Sequence, residues 1–437
     1  MKSYLDEIVA AQKRGQAAGV TSVCSAHPFV IEATFRHALD SDAPVLIEST
    51  CNQVNQFGGY TRMTPADFMA YVADIAAQVG FPQERLIIGG DHLGPNPWQD
   101  EPAAQAMAKA RDLVQDYVLA GYEKIHLDAS MKCADDAPDR PLDTALSAER
   151  AAEMAQVAEE AFARRPGASA PRYIIGTEVP IPGGAQEEEE GVRVTPPVEV
   201  AETIAITRSA FLARGLDEAW TRVIAVVAQP GVEFGDANLF EYDRAAARHL
   251  SRFIEGEEGL IFEAHSTDYQ TPHALRQLVE DHFAILKVGP ALTFAFREAV
   301  FALAMIEEEW LAGKAGIELS RLRETLDAAM LTNPVHWRKY YGGDEQAQAF
   351  ARKYSFSDRS RYYWPVAEVQ DALARLLYNL EGNPPPLSLL SQFSPLQYSR
   401  IRAGRMANSP RAIILDRIDQ VLGEYGYACG TNSIESS

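Results

Sequence analysis

The sequence predicts an α/β protein: a (β/α)8 TIM barrel with an additional α-helical C-terminal region. Three observations predict it. Eight short runs rich in Val, Ile and Leu alternate with stretches of helical spacing over roughly the first 300 residues, whereas an open doubly wound sheet usually shows about five or six. Most of these runs end on a polar group, at Glu48, Asp91-His92, Asp128, Glu178, Gln229 and His265. After Gly316 the β-branched runs stop and the pattern turns helical. The expected division is a barrel over 1–312 and a helical region over 313–437.

Residues 3–18 carry apolar positions at helical spacing, and Gly19 stands where a C-cap would. VTSVC opens the first strand, and Pro28 begins a helix. PVLIEST is the second strand, followed by the amide-rich loop CNQVNQFGGY. Thr64 caps a helix that has Pro65 at its first position and runs through Val79.

LIIGGDH is the third strand, and its apolar run delivers Asp91 and His92 as it ends, before Pro95 and Pro97 interrupt regular structure. A helix over 101–120, closed by Gly121, leads to KIHLDAS. A helix from Ser147 to Arg165 leads to RYIIGTEVP, with Glu178 near its end. The loop after it holds Gly183, Gly184 and the acidic run Glu187–Glu190, a solvated surface by composition. Helix 197–214 precedes RVIAVVAQPG, and LIFEAHSTDY and AILKVGPAL complete the eight, with a helix continuing through Trp310.

In the helical region, HWRKYY at 336–341 and DRSRYYW at 358–364 concentrate the side chains that anchor interfaces. They suit a cap packed on the barrel's own outer layer, and equally a subunit contact or an arm over a neighbour's site. A final helix is expected around Ile413–Leu422.

The net charge of −21 argues against nucleic acid and anionic membrane surfaces as partners. No apolar stretch approaches the ~20 residues of a membrane span, and the charged start MKSYLDEIVAAQKRG lacks the apolar core of a secretory signal. Cys24, Cys51, Cys133 and Cys429 show neither CxxC spacing nor a disulfide framework. A cytoplasmic protein with reduced cysteines is expected. The absence of GxGxxG and GxxxxGK[ST] leaves no sign of a dinucleotide or P-loop site.

Groups at the C-terminal ends of barrel strands converge on one mouth. There, two imidazoles with surrounding carboxylates can hold a divalent metal, with zinc well matched and manganese or nickel also suited. Such a metal polarises a sugar carbonyl while Asp91 moves a proton. A strand-end histidine can also simply pack, and Asp128 can orient a neighbour as well as catalyse. The remaining histidines, His126 among them, are scattered in sequence, and of these only His27 falls where the mouth should be.

SVCSAHPFVIEA, NQVNQFGGYTRMTPADF, GGDHLGPNPW, KIHLDASM and EAHSTDY are long, unusual strings. Through them the chain resembles, over essentially its whole length, the non-catalytic Z-type subunit family of class II D-tagatose-1,6-bisphosphate aldolase. That family has also been labelled tagatose-6-phosphate kinase, a label for which the sequence shows no nucleotide motif. The barrel is more distantly similar to the zinc-dependent class II fructose-bisphosphate aldolases.

The resemblance implies a subunit that supports a catalytic aldolase partner in galactitol or amino-sugar catabolism, as a homo- or hetero-oligomer. The alternative is a metal-dependent ketose aldolase or 4-epimerase acting on tagatose, fructose or their phosphates. The resemblance further implies metal ligands His92, Glu178 and His265 and proton transfer at Asp91; position at the mouth adds Asp128 as a second catalytic residue and substrate contacts at Glu48, Gln229, Ser266 and Asp268. The chain departs from the catalytic aldolases in three places. Gln229 stands where they carry a histidine ligand, Ser266-Thr267-Asp268 replaces their phosphate loop with an acid that would repel phosphate, and KVGPAL replaces their Asn-containing strand.

Overall fold

The computed structural model describes residues 3–176 and 192–431, so Glu178, Gly183, Gly184 and the run Glu187–Glu190 lie outside the described residues. The strands in chain order are β1 Val20–Cys24, β2 Val45–Thr50, β3 Leu86–Leu93, β4 Lys124–Leu127, β5 Arg172–Ile175, β6 Val223–Val227, β7 Glu233–Phe234, β8 Leu239–Phe240, β9 Ile261–Ala264 and β10 Phe283–Val288. Eight of them close into a barrel in the order β1-β10-β9-β6-β5-β4-β3-β2, with every neighbouring pair parallel. The pair β7 and β8 is a small antiparallel addition in the loop after β6, too short to leave a periodic signal in the sequence.

Helices between successive strands form the outer layer. Thr64 caps Pro65–Val79 as expected, and a reciprocal bond with Asp67 completes a capping box. Two elements differ from expectation. The first helix ends at Lys13, and Gly19 is not its cap. A Cβ on Gly19 would lie 3.0 Å from the Ala284 carbonyl oxygen and 3.2 Å from Cys429 Sγ, so this glycine serves close packing. The last helix spans Pro410–Cys429 and is longer than its apolar period suggested.

The C-terminal helical region is built into the barrel's outer layer. Helix Pro410–Cys429 packs against helices Pro28–Ala38, Pro272–Glu280 and Pro290–Leu311. The Cys429 carbonyl accepts from the Gly19 amide at 3.2 Å, and one apolar cluster runs from Phe29 and Val72 through Trp364 and Ile418. Among the described residues, no helix is long and apolar enough to cross a membrane.

The barrel interior is layered, because residues two apart on a strand share a face. Its lower layer, including Val20, Leu46, Ile87, Ile261 and Ile285, is apolar, and Leu5, Ile8 and Val9 of the first helix seal it. Above it stand the charged residues.

Candidate active site

The same alternation that makes the lower layer apolar carries Glu48, Lys124, Glu263 and Lys287 into the middle of the barrel, all buried. Gly89 on β3 makes room for the first of them, since a Cβ there would lie 2.8 Å from Glu48 Cγ. Lys124 Nζ bridges Glu48 Oε1 at 2.7 Å and Glu263 Oε2 at 2.6 Å. Lys287 pairs with the other Glu48 oxygen and reaches Asp91 Oδ1 at 3.0 Å.

One step higher lie Asp91, His92, His126, Asp128 and His265. Consecutive strand residues should point to opposite sides, yet Asp91 and His92 both reach the mouth. The β3–β4 register shifts between Gly90 and Leu93, and His92 takes a left-handed φ of 50°. Ser266, beside His265, has a φ of 54°. Left-handed backbone at non-glycine residues is strained and concentrates at functional sites.

The polar contacts form one connected network. Asp91 Oδ1 accepts from His126 Nδ1 at 2.8 Å. Asp128 Oδ2 accepts from His92 Nδ1 at 2.8 Å, while Asp128 Oδ1 accepts from the Ser130 hydroxyl at 2.6 Å. Glu263 Oε1 accepts from His265 Nε2 at 3.0 Å. The three imidazole rings form a triangle with centroids 4.9 to 5.3 Å apart.

Burial opposes ionisation of Asp91, but His92, Lys287 and His126 outweigh it and hold the carboxyl well below the usual range. Asp128 is held low in the same way, against burial, by its bond to His92. Glu263 is held low, also against burial, by Lys124 and Lys287. The charge on His92 is disfavoured by burial and favoured more strongly by Asp91 and Asp128, which raises its pKa. Burial dominates at His265 and lowers it to about 4.

Asp91, His126, Glu263 and His265 offer ligand atoms that all lie within 4.8 Å of one another, all four residues being buried. They fit a divalent metal on two further grounds. His126 Nε2 is buried with no hydrogen-bond partner, while Nδ1 of the same ring is committed to Asp91. In addition, the carboxylates of Glu48, Asp91, Asp128 and Glu263 exceed in number the ammonium groups of Lys124 and Lys287, leaving negative charge that a cation would neutralise.

The expected site residues fall in distinct places. His92, Asp91 and His265 come together at the mouth, and Asp128 stands behind His92. Glu48 lies deeper, in the lysine network. Gln229 turns its Oε1 to the amides of Gly231 and Val232, at 2.9 and 3.0 Å. Ser266 and Asp268 line the cavity.

Lys124, His126, Glu263 and Lys287 join the site although only Glu263, beside His265 on the seventh run, stands near a strand-end signal. Their signal was available in the period of two: Lys124, His126 and Asp128 are alternate residues of one strand and its extension, and Glu263 and His265 alternate likewise.

Above the cluster is a cavity of about 400 Å3, within the range of small-molecule sites. Asp91, His92, His265 and Lys287 contribute to its lining, and the C-terminal region contributes Arg361, Tyr362 and Trp364. The DRSRYYW segment therefore covers the mouth of its own barrel. It is tied down by Asp358, which accepts from the Thr293 hydroxyl at 2.5 Å, and by Tyr269, whose hydroxyl donates to the Phe356 carbonyl at 2.6 Å. Trp337 and Tyr341 of the other aromatic segment are buried.

His27 also lines the cavity, with its ring 4.1 Å from that of Phe296 and its Nδ1 buried without a hydrogen-bond partner. Burial pushes its pKa down to about 3. The unfolded chain, with His27 near 6.5, binds the proton more readily, so stability should fall as pH drops below about 6.5, by up to roughly 1.4 kcal/mol per unit. His27→Phe should flatten the stability profile between pH 7 and 5 in urea unfolding. A variant profile parallel to the wild type would contradict this.

The family model described as D-tagatose-1,6-bisphosphate aldolase subunit GatZ/KbaZ-like matches residues 5–430. A solved structure from Sinorhizobium meliloti 1021, described as a probable tagatose 6 phosphate kinase, is 46% identical. The match covers 94% of this chain and 100% of that one, with a TM-score of 0.85. The YdjI aldolase from Escherichia coli K12 matches at 11% identity over 90% of this chain and 97% of that one, with a TM-score of 0.43. Fructose-bisphosphate aldolase from Campylobacter jejuni matches at 12% identity over 86% of this chain and 92% of that one, with a TM-score of 0.46.

Proposed function

The chain belongs to the D-tagatose-1,6-bisphosphate aldolase subunit GatZ/KbaZ-like family, and we propose that it is itself a divalent-metal-dependent enzyme acting on a ketose, by retro-aldol cleavage or by epimerisation. The observation that carries this reading is the buried set Asp91, His126, Glu263 and His265 lying beneath a cavity partly lined by the C-terminal region. Replacing such a paired network by apolar packing is often neutral or stabilising, so its presence points to use of the charges and not to stability alone. Zinc suits two imidazoles with carboxylates, and manganese or nickel remain alternatives. When bound, the metal polarises the ketose carbonyl and stabilises the charge that develops on its oxygen.

The chain's own residues have separable tasks. Asp91 is ionised and lies at the cavity floor, where it can take a proton from a substrate hydroxyl or carbon. Lys287, held protonated by Asp91, Glu48 and Glu263 against the opposing effect of burial, keeps Asp91 in its ionised, proton-accepting form. Asp128 fixes the orientation of His92. Tyr362 and Trp364 narrow access of water from above.

Membership of a family of aldolase subunits favours a second reading: support of a separate catalytic aldolase by association, which the resemblance would place in galactitol or amino-sugar catabolism. One experiment separates them. The purified protein is analysed for metal, then incubated alone with tagatose, fructose, their 6-phosphates and 1,6-bisphosphates. Stoichiometric metal, lost in His126→Ala and His265→Ala, together with cleaved or epimerised sugar supports the enzyme. A stable metal-free protein, silent with every sugar, that restores activity to a separately expressed aldolase supports the accessory subunit.

A further inference from the structure

The first turn of helix Pro290–Leu311 opens on the cavity and follows the eighth barrel strand, where barrels of this class commonly bind phosphate through free backbone amides. Here those amides are already used. Asp268 Oδ1 accepts from Gly289 N–H at 3.0 Å and from Ala291 N–H at 2.8 Å. Pro290, between them, has no N–H, and the Leu292 amide is bonded to the Gly289 carbonyl at 3.1 Å. Asp268 is itself 3% exposed. The chain thus supplies its own anion to the position.

Arg361 reaches the same cavity from the C-terminal region, but its guanidinium is committed to the Ser357 and Asp358 carbonyls and to the Tyr362 hydroxyl. An incoming phosphate would have to displace a buried carboxylate or sit beside it, two like charges in a site of low polarity.

We propose that Asp268 is a specificity-determining residue: it fills the anion position of the mouth and restricts the cavity to sugars that carry a free hydroxyl, not a phosphate, at the end approaching helix Pro290–Leu311. This rests on the reading of the cavity as a ketose site, but it concerns anion binding and is tested without turnover. Removing the carboxylate should uncover the two amides with Arg361 nearby and create phosphate binding where the wild type has little.

The test titrates inorganic phosphate against the full-length wild type, Asp268→Ser and Asp268→Asn by calorimetry and 31P line broadening. Asp268→Asn keeps an oxygen on the amides while removing the charge, and so separates occupancy from repulsion. Asp268→Ser should bind phosphate at least ~10-fold more tightly than the wild type, and Asp268→Asn should gain much less. A wild type that binds inorganic phosphate as tightly as Asp268→Ser, or an Asn variant that gains as much as the Ser variant, overturns the proposal. Should Asp268→Ser fail to fold, Asp268→Ala takes its place: a gain of at least ~10-fold over the wild type upholds the proposal, and no gain, or a wild type that binds phosphate more tightly than about 1 mM, overturns it. A protein that turns over no ketose would fail the enzymatic reading while leaving this result intact.

Discussion

Lys124→Met should destabilise the fold by about 3–5 kcal/mol, the range for removing one partner of a buried ion pair. Lys124 is fully buried and its ammonium lies within 2.7 Å of both Glu48 and Glu263. Methionine fills much of the volume but leaves Glu263 facing Glu48 with Lys287 as the nearest counter-charge. The loss therefore comes from uncompensated carboxylates and not from a cavity.

Two consequences distinguish this from a packing defect. Lys124→Met combined with Glu263→Gln should recover part of the stability in urea unfolding, because one of the stranded charges is gone. The single variant should also lose less at pH 5 than at pH 8: stranded carboxylates take up protons more readily folded than unfolded, so their penalty shrinks as pH falls. A loss below about 1 kcal/mol in the single variant would mean that the network contributes little to the fold.

Asp91→Asn should lower ketose turnover by ~100-fold or more, if the chain acts as the enzyme proposed above. Asparagine keeps the size and can still accept from His126 Nδ1 through its oxygen, but it cannot take a proton. The stability change should be small beside that of Lys124→Met, on the order of 1–2 kcal/mol, since Lys287 retains Glu48. Steady-state kinetics with each ketose, paired with metal analysis, checks it. A fall in turnover that merely tracks lost metal would assign Asp91 to metal retention and leave proton transfer to another group.

The barrel was legible because its signals are local. Each β-branched run, each cap such as Thr64 with Asp67, and each strand-end polar group is written within a few residues. Strand-end position alone predicts that Asp91, His92 and His265 meet at one mouth, and all three line one cavity. His126 carries no such signal because it stands inside a strand and not at its end. Its importance depends on Asp91 and Glu263, distant in sequence, facing it across the barrel.

The division of labour follows from the range of the interactions involved. Hydrophobic period, capping and turn chemistry act over a few residues, so the order of strands and helices, the acidic surface and the family could be read from the chain alone. Pairing of charges across a closed barrel acts between residues far apart in the chain, such as Glu48 with Lys287, so a short string can show that a charge points inward but not which partner it meets. The same holds for the C-terminal region. DRSRYYW announces an anchoring surface, but only packing against helix Pro290–Leu311, through Asp358 and Thr293, decides that the surface it closes is the mouth of its own barrel.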